Sequence, residues 1–165
     1  MHLSHLPLRG TVGAYFLNSG LSKVGIAEPA AGELHGMAAG AIPPIRRVRP
    51  DVFATALAGV EIALGTALLL PVVPSALAGL GLLAFGGGLA RLYWATPGMR
   101  EPGGPRPTQQ GTALAKDVWL VGAGLTLVLD DLAGRVVQAS STSLMRYWAV
   151  GVRIHSSVTT RPLWS

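Results

Sequence analysis

Residues 52–95 read VFATALAGVEIALGTALLLPVVPSALAGLGLLAFGGGLARLYWA. Between Val52 and Val73 the only charge is Glu61, and between Pro74 and Ala95 the only one is Arg91. Crossing a hydrocarbon core of ~30 Å takes about 20 helical residues, and each run has that length. Pro71 and Pro74 each lack a backbone donor and impose a tight reversal between the runs. The stretch therefore predicts two membrane-spanning helices folded back as an antiparallel hairpin.

Two further apolar runs flank this hairpin. Arg9 to Ala27 is interrupted by Asn18, Ser19, Ser22 and Lys23, while Thr112 to Leu132 enters through Lys116 and Asp117 and leaves through Asp130 and Asp131. The first run has a broken apolar stretch and no small-x-small cleavage site, which favours a retained helix over a cleaved signal. The expected fold is thus all-α: a four-transmembrane-helix antiparallel bundle, with helices at about 9–27, 52–73, 74–95 and 112–132. The proline-bearing connections, Glu28 to Asp51 and Thr96 to Gly111, read as loops. Residues 133–165 carry four arginines, two tryptophans and no acid. They read as a basic tail, disordered or interfacial, with an amphipathic piece over Leu144 to Ile154.

Composition agrees with lipid as the solvent. Of 165 residues, 50% are hydrophobic and 13% charged, against roughly 25% charged in soluble globular chains. Zero cysteines exclude disulfides, thiolate nucleophiles and cysteine-held metal centres. The net charge of +5 fits anionic headgroups flanking the spans better than nucleic acid, which is not expected as a partner.

Small residues recur at helical spacing on one face of each run: Gly13, Phe16, Gly20, Lys23; Ala54, Ala58, Glu61, Gly65; Ala84, Gly87, Gly88, Arg91; and Ala113, Asp117, Val121, Gly124. Helices in lipid associate through such faces. Because the charges share them, the charges point into the bundle. A rise of 1.5 Å per residue sets Lys23, Arg91 and Lys116 each roughly 7–10 Å from their helix centres, all towards the end where the second helix starts, with Glu61 near mid-bilayer. At the opposite end Arg9 is expected to meet Asp130 and Asp131 in a salt bridge. The glycine-rich faces also allow a homodimer.

The opening helix with Arg9 and Ser19-Gly20-Leu21-Ser22-Lys23, the second with Glu61, Gly65 and Leu68-Leu69-Leu70-Pro71, and the segments Thr96-Pro97-Gly98-Met99-Arg100 and Ala113-Leu114-Ala115-Lys116-Asp117 resemble the DoxX family of small bacterial membrane proteins, in its actinobacterial form, over residues 9 to 132. The resemblance implies a multi-pass protein of the cytoplasmic membrane, linked to quinone-coupled oxidation and to a soluble or membrane oxidoreductase partner. No dithiol relay can be built within a chain lacking cysteine, so catalysis by this chain alone is not expected.

Glu61, Lys23, Arg91, Lys116 and Asp117 are the candidate binding residues for a quinone or a membrane lipid, with no catalytic residue assigned. Glu61 has two readings: a midplane carboxylate that relays a proton or bonds a quinone head, or a structural carboxylate paired with Lys23 or Lys116. Lys23, Arg91, Lys116 and Asp117, with Arg46, Arg47, Arg49, Arg100 and Arg106, could form a cationic entrance for an anionic head, or could simply orient the protein. Glu33 and His35 form half a metal site with no further ligands in sight, so His35 is expected as a water-exposed loop residue, and no metal is expected. Two functions follow: a DoxX-like subunit of a quinone-linked oxidoreductase or stress complex holding an apolar cofactor or lipid, and a non-catalytic scaffold or assembly factor. A small-molecule or lipid carrier has the least support, since the four short spans show no strong internal duplication.

Overall fold

The computed structural model describes the backbone of residues 3–158 and the side chains of residues 4–138. Among them the chain is helical, with one isolated bridge between Arg100 and Pro107. The α-helices are α1 Leu6–Ser22, α2 Glu28–Ala41, α3 Pro50–Leu69, α4 Ser75–Ala95, α5 Thr112–Lys116 and α6 Val118–Val158. Three stretches, Pro50–Leu69, Ser75–Ala95 and Thr112–Gln138, are long and apolar enough to cross a membrane. The chain falls into two compact units that divide after Leu129.

The expected hairpin is present. Helix α3 begins on Pro50, whose fixed φ suits a first turn, and stops at Leu69 ahead of Pro71. Val73 N–H closes the reversal on Leu70 O at 3.2 Å, and α4 starts directly after Pro74.

Helix contact in the first unit rests on two seams where glycine brings backbones together. Along α1 and α3, a Cβ on Gly20 would meet Ala58 O at 2.8 Å, and one on Gly65 would meet Leu17 N at 2.5 Å. Between α4 and α6, Gly79 and Gly124 face each other's carbonyl oxygens, and a Cβ on Gly86 would meet Leu120 Cβ at 3.1 Å. Phe16, Leu64, Leu68, Leu82, Leu120 and Leu127 fill the space between the seams. Such close approach multiplies dispersion contacts between the helices.

Several expectations are corrected. In α4, Gly87 and Gly88 have open space beside them and Ala84 is exposed; Gly79 and Gly86 make the seam instead. The connection 28–51 is not a loop throughout, because Pro29 starts a helix rather than breaking one, giving α2. The fourth run is broken at Asp117, where a tight turn separates α5 from α6. Residues 133–158, read as the start of a basic tail, continue α6 as helix, and the expected piece Leu144 to Ile154 lies within it. Residues 159–165 lie outside the described residues.

Arg9 departs most from expectation. It is 1% exposed, and its partners are the carboxyl end of α3, not an aspartate. Nε donates to Leu68 O at 2.8 Å, Nη2 to Ala67 O at 2.9 Å and Leu70 O at 2.8 Å, and Nη1 to Val73 O and Ser75 Oγ, both at 3.1 Å. All five guanidinium donors are used. His5 Nδ1 lies 3.2 Å from the same Ser75 hydroxyl. In the second unit, Asp131 accepts from Arg135 Nε at 2.9 Å, one helical turn along.

The connection 96–111 is tied down rather than slack. Thr108 N–H reaches Met99 O at 3.0 Å, Thr108 Oγ1 donates to Gly98 O at 2.7 Å, and Tyr93 OH donates to Pro105 O at 2.7 Å. Gly111 is packed onto the Met99 carbonyl so closely that a Cβ would overlap it. Gly111→Ala is therefore expected to destabilise by about 1–3 kcal/mol, read as a lowered unfolding midpoint in detergent. Gly59→Ala, with nothing beside it, is the control and should be neutral or better, since alanine is the stronger helix former.

Candidate functional site

The site begins with spacing on α1. Ser19 and Lys23 lie one turn apart, on either side of Gly20. Because Gly20 lets α1 close on Ala58 and Ile62 of α3, the Lys23 side chain reaches Glu61, one turn beyond Ala58. Lys23 Nζ donates to Glu61 Oε2 at 2.8 Å, to Ser19 Oγ at 2.7 Å and to Ser19 O at 3.1 Å. Both charged side chains are largely shielded from solvent, with 17% of Lys23 and 7% of Glu61 exposed. An ion pair so placed holds only when its remaining bonds are made, and Ser19 supplies them for the ammonium.

The pair opens into a cavity of about 730 Å3. Its walls come from α1, α3, α4, α5 and α6, mostly as apolar side chains: Phe16, Leu57, Leu64, Phe85 and Leu120. Phe16 and Phe85 meet edge to face with centroids 4.9 Å apart. Leu34, Met37 and Ala38 of α2, with Ile42 and Ile45 after it, also line the space. Asp117, at the break between α5 and α6, is the third charged residue in the lining.

Helix α2 is held in place by its carboxyl end. Arg46 Nε donates to Ala39 O at 3.1 Å, and Arg91 Nε, from α4, donates to Ala41 O at 3.3 Å. Cations suit that end of a helix. His35 is half-buried on α2, with Nε2 3.0 Å from Ile45 O and its ring edge-on to Phe53. It is a packing residue, which corrects its reading as a water-exposed loop histidine. Among the described residues no group of three or more His, Asp or Glu could hold a metal.

The five candidate residues divide. Glu61, Lys23 and Asp117 line one cavity; Arg91 and Lys116 are exposed and do not. Arg46 and Arg91 are committed to α2, Arg49 pairs with Asp51 at 3.0 Å on the surface, and Arg100 stacks on Trp94 at 4.3 Å. Sequence reasoning missed Ser19 as a partner and the whole α2 lining. Pro29 beside an Ala-rich stretch was the available signal. No protein-family model, no curated protein and no solved structure matches the chain, so its function must be argued from its own side chains.

Proposed function

We propose that this chain is a multi-pass protein of the cytoplasmic membrane that holds one amphipathic molecule inside a bundle of four spanning helices. The observation that carries the reading is a chamber of about 730 Å3 with apolar walls and the Lys23–Glu61 pair among them. Such pockets take an apolar body and fix a few polar atoms. Leu21, Val52, Leu77, Leu80 and Leu125 are exposed apolar side chains on α1, α3, α4 and α6 outside the chamber lining, which supports lipid around the bundle. Helix α1, although only 17 residues long, packs along α3 and keeps its one charged side chain, Arg9, on the α3 carbonyls, which supports counting it as the fourth span.

The DoxX resemblance adds a context, a non-catalytic subunit of a quinone-linked oxidoreductase or stress complex. A quinone's size and apolar tail suit the chamber. Its two carbonyl oxygens need donors, however, and the three donors of Lys23 are already bonded. The reduced, dihydroxy head suits the carboxylates better. No electron-transfer step is derived from these residues.

Glu61→Gln tests the binding role. Glutamine keeps an acceptor for Lys23 but removes the charge. Native mass spectrometry of gently extracted protein should show bound amphiphile on the wild type and about tenfold less on the variant, the size expected for one charged hydrogen bond. Equal occupancy on a folded variant would sink the reading. The second reading, a scaffold, is favoured by the closed set Lys23–Glu61–Ser19, which locks α1 to α3 without any guest. It predicts partner co-purification that survives Glu61→Gln and is lost on removing residues 133–165.

A further inference from the structure

The hydrogen-bond inventory of the chamber selects the charge of its guest. An ammonium has three N–H donors, and those of Lys23 go to Glu61 Oε2, Ser19 Oγ and Ser19 O. The lining therefore offers no cationic donor to an incoming head. It does offer acceptors: Glu61 Oε1 and both oxygens of Asp117 accept no hydrogen bond from the described residues. Lys23 balances Glu61, which leaves the Asp117 carboxylate as the unbalanced charge of the lining. Lys116, its neighbour in sequence, is exposed and lies outside the lining.

An anionic head entering this space would meet an ammonium whose donors are already bonded, and an uncompensated carboxylate. A positive head with N–H donors would meet the reverse, in a lining that also contains the aromatic side chains Tyr15, Phe16, Phe53 and Phe85. We propose that the chamber is selective for amphiphiles with a cationic, amine-type head, recognised by Asp117 and the free oxygen of Glu61. This rests on the reading that the chamber holds an amphiphile, and it adds the sign of the head group, which that reading leaves open.

The test uses the full chain in lipid nanodiscs and three probes with tails of similar length: an alkylammonium, an alkyl carboxylate and a short-tailed quinone. Gly88→Trp, which fills the chamber from a position with open space beside it, identifies binding elsewhere. The alkylammonium should bind at least about tenfold more tightly than the carboxylate, and Asp117→Asn should remove about tenfold of that affinity. Asp117→Glu, which keeps the charge, should restore the preference. If the carboxylate or the quinone binds as tightly as the alkylammonium, selectivity is overturned and the amphiphile reading stands. If no probe shows binding that Gly88→Trp abolishes, the amphiphile reading itself fails. The comparison within the wild type decides the matter even where Asp117→Asn does not fold.

Discussion

Replacing Arg9 with methionine is expected to lower the stability of the bundle by on the order of 3–5 kcal/mol. Methionine fills much of the same volume, so the cost is not chiefly a cavity. Helix α3 ends at Leu69 with no glycine cap and no basic residue in its last turn. Its final carbonyls have no partners within the helix, and the guanidinium supplies them from α1, together with Val73 O and the Ser75 hydroxyl. The charge sits at the negative end of the α3 dipole, where a buried cation is least costly. Methionine removes the donors from five oxygens, two of them in buried bonds, Leu68 O and Ser75 Oγ, and three in partly buried ones. Lysine restores charge but not the planar fork, so Arg9→Lys should recover only part of the loss. Arg49→Met is the contrast, since its Asp51 partner is on the surface and the change should cost less than about 1 kcal/mol. Unfolding in mild detergent titrated with denaturant measures all three. An Arg9→Met midpoint equal to the wild type would remove the capping role.

The same residue shows where sequence reading stops. Arg9 was recognisable as a charge at one end of the bundle, from its place at the start of the first apolar run. Its partner was not, because backbone carbonyls carry no residue-type signal and those of α3 lie some 60 residues away along the chain. Glu61 with Lys23 was legible for the opposite reason: two opposite charges shared faces with Gly20, Ala58 and Gly65, and the small residues that close the seam also bring the charges together. The stripe on α4 misled because that helix has glycine at 79, 81, 86, 87 and 88, so spacing alone allows more than one face. Helix α2 escaped because proline marks both a loop and a helix start, and local sequence does not separate them. The break at Asp117 and the exposure of Lys116 depend on how α5 joins α6, which no periodicity records.

Gly65→Val is expected to destabilise the protein by about 3 kcal/mol or more and to abolish guest binding with it. A Cβ at position 65 would lie 2.5 Å from Leu17 N and 2.8 Å from Gly13 O. Both are backbone atoms of α1, so no side-chain rotation relieves the overlap and α1 must move as a rod. That rod carries Arg9 near one end and Lys23 just past the other. Displacing it loosens the α3 cap and the Glu61 pair together, and both effects exceed the overlap itself. Gly13→Val should cost less, since a Cβ there would meet Leu69 Cγ at 2.9 Å, Leu68 Cβ at 3.0 Å and Gly65 O at 3.1 Å, all longer than the 2.5 Å contact at 65. Gly59→Val meets nothing within 4 Å and should cost no more than about 1 kcal/mol, the scale of helix propensity. The order 65, then 13, then 59 follows from how closely each new carbon approaches its neighbours: 2.5 Å to backbone, 2.9 Å to a side chain, or nothing within 4 Å. Equal unfolding midpoints for the three variants would mean that α1 and α3 are not held by this seam, and the placement of Lys23 against Glu61 would then need another cause.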